Sequence, residues 1–307
     1  MTDSLQRSER MSPLYRALAT HRVKRGAIEL AFLAVLYVAY GASRLLASND
    51  FAPARGHALD ILTFEKSWRI DVESWLNDRF VQYDWLGVFG SYWYATTHYI
   101  VTIVVLIWIY WRSASEYVTA RRSLVLATIV GLMFYLTMPT APPRLIEGVY
   151  VDVLNFYSYA GWWGADASAP KGLGGMTNEL AAFPSLHAGW SLWVLLVLIR
   201  AGVPQVVQGL GLAYAAMMAT VIVGTGNHWV VDVVVGWALG LVAFGVVIAW
   251  ERRSPVLAHE EAHLRVSLID GPIEPRGDLF ADDPALVLRN EVAGSRDDLE
   301  GLRNREC

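Results

Sequence analysis

Two short motifs in this chain combine residue types that can transfer a phosphoryl group. Phe183-Pro184-Ser185-Leu186-His187 is followed forty-one residues later by His228, and Asp232 lies at i+4 from that histidine. A neutral imidazole can attack phosphorus with one nitrogen, while an acceptor holds the other nitrogen and stabilises the developing cation. Asp232 lies on the same helical face and can be that acceptor. His187 can protonate the departing oxygen, because the unperturbed pKa of histidine is about 6.5.

Arg144 and the helix start at Ser185 supply groups suited to holding the phosphate itself. A guanidinium offers two parallel N–H donors, and a helix N-terminus offers free backbone N–H groups at its positive end. Each residue also has a simpler interpretation. Arg144 can anchor a lipid headgroup, Pro184-Ser185 can be helix-start punctuation, and Asp232 can complement a helix dipole. Their common placement at one membrane face favours a phosphate site.

The elements that must position these residues are membrane-spanning helices. The chain has 307 residues, of which 54% are hydrophobic and 18% charged, a composition too apolar for an ordinary soluble domain. A transmembrane helix needs about 20 mostly apolar residues, and six segments qualify. They lie at about residues 26–46, 86–111, 122–139, 184–200, 204–223 and 229–250. The predicted fold is all-α, a polytopic integral membrane protein with a six-transmembrane-helix bundle.

The distribution of Lys and Arg favours cytoplasmic termini, chiefly because the first 25 residues are basic. In that orientation the third span ends, and the fourth and sixth spans begin, at the extracytoplasmic face. We therefore expect a multi-pass cell-membrane protein whose site faces outward. The site residues brought to this face are Arg144, Ser185, His187, His228 and Asp232.

The chain divides into three parts by composition. Residues 1–25 form a basic cytoplasmic segment, and residues 26–253 form the six-span domain, with its motifs within 139–240. Residues 254–307 are acidic and lack apolar periodicity, which predicts a disordered cytoplasmic tail. The basic segment suits a membrane surface better than nucleic acid, since a hydrophobic body follows it.

Two outer loops and a polar residue inside a span complete the candidate surroundings of the site. Residues 56–83 have rough helical spacing of apolar side chains and predict an amphipathic helix on the outer interface. The glycine-rich loop 139–183 predicts an irregular cap. His98 is a functional candidate because it lies within a span, although a hydrogen-bonded structural role is equally open. Gly224-Thr-Gly226-Asn227 suits either a phosphate-cradling turn or a tight interhelical turn.

No metal or cofactor site is predicted. The single cysteine is Cys307, which excludes a disulfide framework and a cysteine-based metal site. Asp232 is the one carboxylate near the two histidines in the sequence. The expected partners are a lipid phosphate or phospholipid substrate and the bilayer, with no nucleic acid.

These motifs resemble those of the type 2 phosphatidic acid phosphatase superfamily of membrane lipid phosphatases. Its second motif, P-S-G-H, corresponds to Pro184-Ser185-Leu186-His187, and the H-x3-D of its third motif corresponds to His228 and Asp232. Arg144 matches the arginine of the first motif. The resemblance covers about residues 85–250.

The departures from the superfamily pattern remove two positive charges. Thr137 stands at the lysine position of the first motif, and Ile222 stands at the arginine position of the third. Leu145 and Val221 replace a proline and a serine. With fewer cations at the site, singly charged phosphodiesters are a more plausible substrate than doubly charged phosphomonoesters.

The run from Asn178 to Trp190, with Pro139 to Arg144, is similar to the inositol phosphorylceramide synthase (aureobasidin-resistance) group. Members of that group move a phosphoryl-inositol headgroup between lipids without a metal, through an attacking histidine. The resemblance implies His228 as a nucleophile that forms a phosphohistidine, Asp232 as its orienting partner and His187 as acid and base. It also implies a role for residues around the substrate. These are Arg144 and Ser185 as phosphate ligands. Separately from the resemblance, His98 and Asn178 are candidate residues of the substrate pocket.

The implied function is phosphoryl transfer on a lipid, either by a lipid phosphate phosphatase or by an inositol-phosphate headgroup transferase. The alternative is a non-catalytic lipid-binding or transport protein. Transporters often contain internal repeats with interrupted helices in matching halves, and the sequence has no such repeat.

Overall fold

The computed structural model describes residues 50–164 and 178–253, together with Gly26, Ala27, Glu29 and Ala31. In this part of the chain the regular structure is helical, with one isolated parallel bridge between Thr140 and Ala181 and no strand. The predicted 1–25 and 254–307 segments lie outside the described residues. The helices are α1 Phe51–Trp68, α2 Glu73–Gln82, α3 Asp84–Tyr92, α4 His98–Arg112, α5 Ala114–Thr137, α6 Val153–Phe156, α7 Leu186–Arg200, α8 Gln205–Gly224 and α9 Val230–Arg253.

Four helical stretches of the described chain are long and apolar enough to cross a membrane. They are Asp84–Arg112, Ala114–Thr137, Gln205–Gly224 and Val230–Arg253. They match four of the six predicted spans and indicate a membrane protein. The predicted span at 184–200 is the 15-residue helix α7, which is shorter than the roughly 20 residues that a bilayer requires. The predicted span at 26–46 lies almost wholly outside the described residues.

The third predicted span begins earlier than its apolar pattern indicated. Helix α5 starts at Ala114, because the Ser113 side chain accepts a hydrogen bond from the Glu116 backbone N–H and caps it. Arg121, which precedes the predicted span, and Arg122, its first residue, therefore both lie inside the helix. Their charges are balanced within the protein. Arg121 pairs with Glu29, and Arg122 Nη1 lies 3.5 Å from Glu251 Oε1.

The outer loop 56–83 contains two helices, where one amphipathic helix was predicted. The chain breaks at Arg69, which has a left-handed conformation with φ of 57°. Two apolar residues of this loop, Trp68 and Trp75, are 69% and 60% exposed. The buried face of α1 is a stripe of smaller residues that packs on the irregular segments near Trp229. This stripe consists of Ala54, Ala58, Ile61, Leu62 and Glu65.

Helices α7 and α9 touch through their backbones. A Cβ atom added to Gly236 would lie 2.2 Å from the Ser185 carbonyl oxygen, so a larger residue does not fit there. A Cβ added to Gly189 would lie 3.0 Å from the carbonyl oxygen of Gly236. Small residues permit this close helix packing in membranes. The contact presses the first turn of α7 against the first two turns of α9, and so joins the two sequence motifs.

Candidate active site

A tight turn between α8 and α9 carries His228 into the protein interior. Gly226 has a φ of 74°, and the backbone N–H groups of Asn227 and His228 both lie 3.1 Å from the Ile222 carbonyl oxygen. The Gly226 carbonyl accepts a hydrogen bond of 2.8 Å from the Arg144 N–H. Of the two interpretations of this glycine-rich stretch, the structure supports the interhelical turn. It leaves His228 only 3% exposed.

The His228 ring is oriented chiefly by a backbone carbonyl. Its Nδ1 lies 2.9 Å from the Ala182 oxygen and 3.4 Å from Asp232 Oδ2. A carbonyl oxygen only accepts, so we assign the ring hydrogen to Nδ1, which leaves the lone pair on Nε2. Ala182 is itself held, because its N–H donates to the Thr140 oxygen over 3.2 Å. The sequence had assigned the orienting role to Asp232, which instead shares it with Ala182.

The environment of His228 keeps its imidazole neutral. Burial is the main cause that lowers the pKa of His228 to about 4, and the positive charge of Arg144 acts in the same direction. The hydrogen bond with Ala182 opposes this change without reversing it. At neutral pH the ring therefore has the uncharged form that a nitrogen nucleophile requires.

His187 lies in the first turn of α7 within a group of aromatic rings. Its ring centre is 5.5 Å from that of His228 and 4.2 Å from that of His98. The Tyr94 ring stacks on the His187 ring, with the centres 4.6 Å apart. Tyr94 belongs to a π-helical segment, Trp93–Thr97, which directly precedes His98, and such segments often occur at functional sites. The structure thus brings all three predicted histidines together.

Ser185 fixes the start of α7 as the sequence predicted. Its hydroxyl oxygen accepts a hydrogen bond of 3.2 Å from the Ala188 N–H, which makes it the N-cap. Its own N–H donates to the Asp232 carbonyl over 3.0 Å. Its side chain is fully buried. Ser185 therefore ties the second motif to the third, while its hydroxyl hydrogen can still donate to a phosphate oxygen.

Arg144 is buried at the site with partners on each nitrogen. Its Nε donates to Asn227 Oδ1 over 3.1 Å, and its Nη1 donates to Asp152 Oδ2 over 3.0 Å. Its Nη2 lies 3.5 Å from Glu179 Oε1. Two carboxylates therefore already offset its charge. Asn178 contributes indirectly, since its Oδ1 accepts from the Leu180 N–H over 3.0 Å and stabilises the turn that carries Glu179.

Several residues at the site were not identified from the sequence. The most deeply buried are Glu65 and Glu73, both fully inaccessible, whose Oε1 atoms accept hydrogen bonds from the first turn of α9. The spacing of the α1 stripe marks Glu65, because it continues the series of Ala58, Ile61 and Leu62. Glu73 follows no such pattern, because its partner Val230 is 157 residues away in the chain. Asp152 caps α6 through the Asn155 N–H and binds Arg144, eight residues before it.

The arrangement combines the neutral imidazole of His228, the nearby ring of His187 and the buried guanidinium of Arg144. No group of three or more His, Cys, Asp and Glu side chains within the described ranges is placed to hold a metal ion. The histidines can supply nucleophilic and acid–base chemistry, and Arg144 can bind an anion electrostatically.

Comparison with known families agrees with this geometry. A sequence model described as the PAP2 superfamily matches residues 59–246, which include every candidate site residue. A search of curated proteins and a search of solved structures found no match. The matched region makes up more than half of the chain, and the protein belongs to the PAP2 superfamily.

Proposed function

We propose that this protein is a membrane-embedded enzyme that transfers a phosphoryl group from a lipid phosphate ester through a phosphohistidine at His228. Superfamily membership indicates phosphoryl transfer on phosphate esters, and superfamily members are generally phosphatases. The observation that carries the proposal is the buried His228. Its Nδ1 is held by Ala182 and Asp232, and His187 lies 5.5 Å away, ring to ring.

The reaction proceeds in two displacements at phosphorus. His228 Nε2 attacks, the P–O bond to the leaving group breaks, and His187 donates a proton to the departing oxygen. The Ala182 carbonyl and Asp232 stabilise the positive charge that develops on the ring. A hydroxyl group of water or of a lipid alcohol then attacks the phosphohistidine. His187 takes up its proton as the P–N bond breaks.

The charge at the site favours a phosphodiester over a phosphomonoester. Asp152 and Glu179 already offset Arg144, and the superfamily's third-motif arginine is replaced by Ile222, which is fully buried. A doubly charged phosphomonoester would meet little excess positive charge. Transfer of a headgroup phosphate, such as inositol phosphate, to a lipid alcohol is therefore the favoured reaction. Hydrolysis of a lipid phosphate is the second candidate.

The proposed setting is the cell membrane, with the site open to the extracytoplasmic side and both termini cytoplasmic. The bias of Lys and Arg along the sequence supports this orientation. The short helix α7 is consistent with a site below the outer surface. Irregular backbone is tolerated at membrane depth where protein surrounds it, as it does around Ala182 and Ser185.

Phosphorus NMR of purified protein with a membrane lipid extract tests the proposal. We expect His228→Ala to lower turnover by at least about 10⁴-fold, as for loss of a covalent nucleophile. Asp232→Asn should lower turnover by about 10²-fold, because the charge that stabilises the ring during attack is lost. The loss is smaller than for His228→Ala, because the Ala182 carbonyl still orients the ring. His259→Ala is the control variant, because this histidine belongs to the predicted tail and to none of the motifs.

The products distinguish the candidate reactions. A new phosphodiester signal without free phosphate identifies a headgroup transferase, and inorganic phosphate identifies a phosphatase. Equal turnover by wild type and His228→Ala would contradict the phosphohistidine. The resemblance further implies that no metal takes part, so turnover should be unchanged after treatment with a chelator.

A further inference from the structure

Three carboxyl groups bind three consecutive backbone N–H groups at the start of α9. The Trp229 N–H donates to Asp232 Oδ2 over 2.8 Å, as expected of a helix-capping aspartate. The next two N–H groups are bound from outside the helix. Val230 donates to Glu73 Oε1 over 2.9 Å, and Val231 donates to Glu65 Oε1 over 2.8 Å. The first N–H groups of a helix need such partners when they are buried.

The remaining oxygens of the two glutamates indicate their protonation state. Glu65 Oε2 and Glu73 Oε2 are buried and have no other hydrogen-bond partner among the described residues. Neither glutamate forms an ion pair within that part of the chain. If both were ionised, two neighbouring buried anions would lack a donor, which is costly. One proton on either side chain supplies the missing donor.

We propose that Glu65 and Glu73 share one proton as a carboxylic acid–carboxylate pair that clamps the first turn of α9. In this role they are positioning residues for His228 and Asp232, which adjoin the clamped turn. Glu65 comes from α1 and Glu73 from α2, so the clamp also holds these two outer helices over the site.

The electrostatics place the proton on Glu65. Burial is the main cause that raises the pKa of Glu65 to about 9, and the hydrogen bond to Glu73 acts in the same direction. The negative charges of Glu73 and Asp232 raise it further, while the hydrogen bond from Val231 lowers it.

Within the described part of the chain, the charges that act on Glu65 are the carboxylates of Glu73 and Asp232, with no cation among them. Both glutamates also act on the Tyr150 phenol, as does Asp71 in the turn between α1 and α2. Burial and the charges of Glu73, Glu65 and Asp71 raise the pKa of Tyr150, so this phenol stays neutral. The pair is therefore intact at neutral pH.

The raised pKa of Glu65 makes the stability of the folded protein depend on pH. The folded protein retains a proton that the unfolded chain loses above the ordinary glutamate pKa of 4.5. The stabilising contribution is therefore complete below pH 4.5, declines as pH rises and is lost above about pH 9. Above that pH two anions repel each other at the start of α9, and the His228 geometry loosens.

The test compares Glu65→Gln with Glu65→Leu, and uses Asp60→Asn on the exposed face of α1 as the matched control. A glutamine can accept from Val231 with its oxygen and donate to Glu73 with its amide group. We expect Glu65→Gln to keep turnover within about threefold of wild type at pH 7 and to abolish the loss of activity near pH 9. Glu65→Leu should lose about 10²-fold through misplacement of the nucleophile.

Infrared spectroscopy detects the shared proton independently of turnover. Wild type and Asp60→Asn should show the band of a protonated carboxyl group at pH 7, and Glu65→Gln should lack it. An unchanged band in Glu65→Gln would overturn the proposal, as would a loss of turnover equal to that of Glu65→Leu. Only the activity readout rests on the proposed function. If the band behaves as expected while wild type shows no turnover, the acid pair stands and the proposed function fails.

Discussion

The two ends of the helix bundle satisfy their charged groups in different ways. At the site end, three carboxyl groups accept hydrogen bonds from backbone N–H groups and are fully buried, namely Glu65, Glu73 and Asp232. Arg144 pairs there with Asp152 and Glu179, and its own side chain is buried. At the opposite end, carboxylates pair with arginine side chains that remain partly exposed. Arg200 Nε lies 2.5 Å from Glu116 Oε2, and Arg122 reaches Glu251 at 3.5 Å.

The two kinds of contact serve different purposes: the buried contacts fix the positions of side chains, and the exposed ion pairs only join one helix to another. A partly exposed ion pair contributes about 0–1 kcal/mol, and both side chains retain freedom to move. A buried carboxyl bound to a backbone N–H has few alternative positions, and loss of its partner is costly. The opposite end therefore links helices loosely. The site end holds reactive groups at set distances.

Removal of one arginine at each end should show the largest contrast. We expect Arg144→Ala to lower kcat/KM by about 10³-fold through loss of phosphate binding, and to destabilise the fold by about 3 kcal/mol because Asp152 loses its partner. Arg200→Ala should change stability by less than about 1 kcal/mol and leave turnover nearly unchanged. Product NMR and thermal unfolding in detergent measure both effects. Equal losses of turnover and stability in Arg144→Ala and Arg200→Ala would contradict the difference proposed between the two ends.

Two glycines of α9 provide a smaller test of the same difference. An alanine at Gly236 would press on the Ser185 carbonyl and separate α7 from α9, whereas Gly245 has open space around its Cα. We expect Gly236→Ala to cost about 1–3 kcal/mol and to lower turnover about tenfold. Gly245→Ala should be neutral within about 1 kcal/mol. Thermal unfolding of both variants decides this, and equal unfolding temperatures would show that the helix contact is not tight.

The pH dependence of turnover sharpens the comparison at one residue. The pKa of His228 is lowered to about 4, so the imidazole stays neutral and able to attack down to about that pH. We therefore expect kcat/KM not to decline near the ordinary histidine pKa of 6.5. The unfolded chain binds the proton first, so the stabilising contribution is complete above pH 6.5 and is lost as pH falls to about 4. A pH profile of kcat/KM and of the unfolding temperature tests both statements. An acid decline centred near 6.5 would contradict the buried, neutral ring.

Local sequence patterns predicted those parts of the site that depend on neighbours in the chain. Ser185 caps α7 because serine caps helices wherever a buried start requires it. Asp232 lies 3.4 Å from His228, as their spacing of four predicted, although His228 precedes α9 in the turn and shares no helical face with it. The start of α5 was missed because polar residues before position 122, Arg121 among them, interrupt the apolar pattern. The charges of Arg121 and Arg122 are balanced by residues distant in the chain. Hydropathy alone does not contain that pairing.

The sequence alone established an apolar, all-helical membrane protein with two histidines and an aspartate at helix starts, because side-chain type and short spacing decide these features. The tertiary structure decided which acceptor orients His228, how the charge of Arg144 is offset and where Glu65 and Glu73 bind. Ala182 acts through a main-chain carbonyl, which no residue type reveals. The glutamates act across 166 and 157 residues of chain, a separation that only the packing of α1 and α2 on α9 closes.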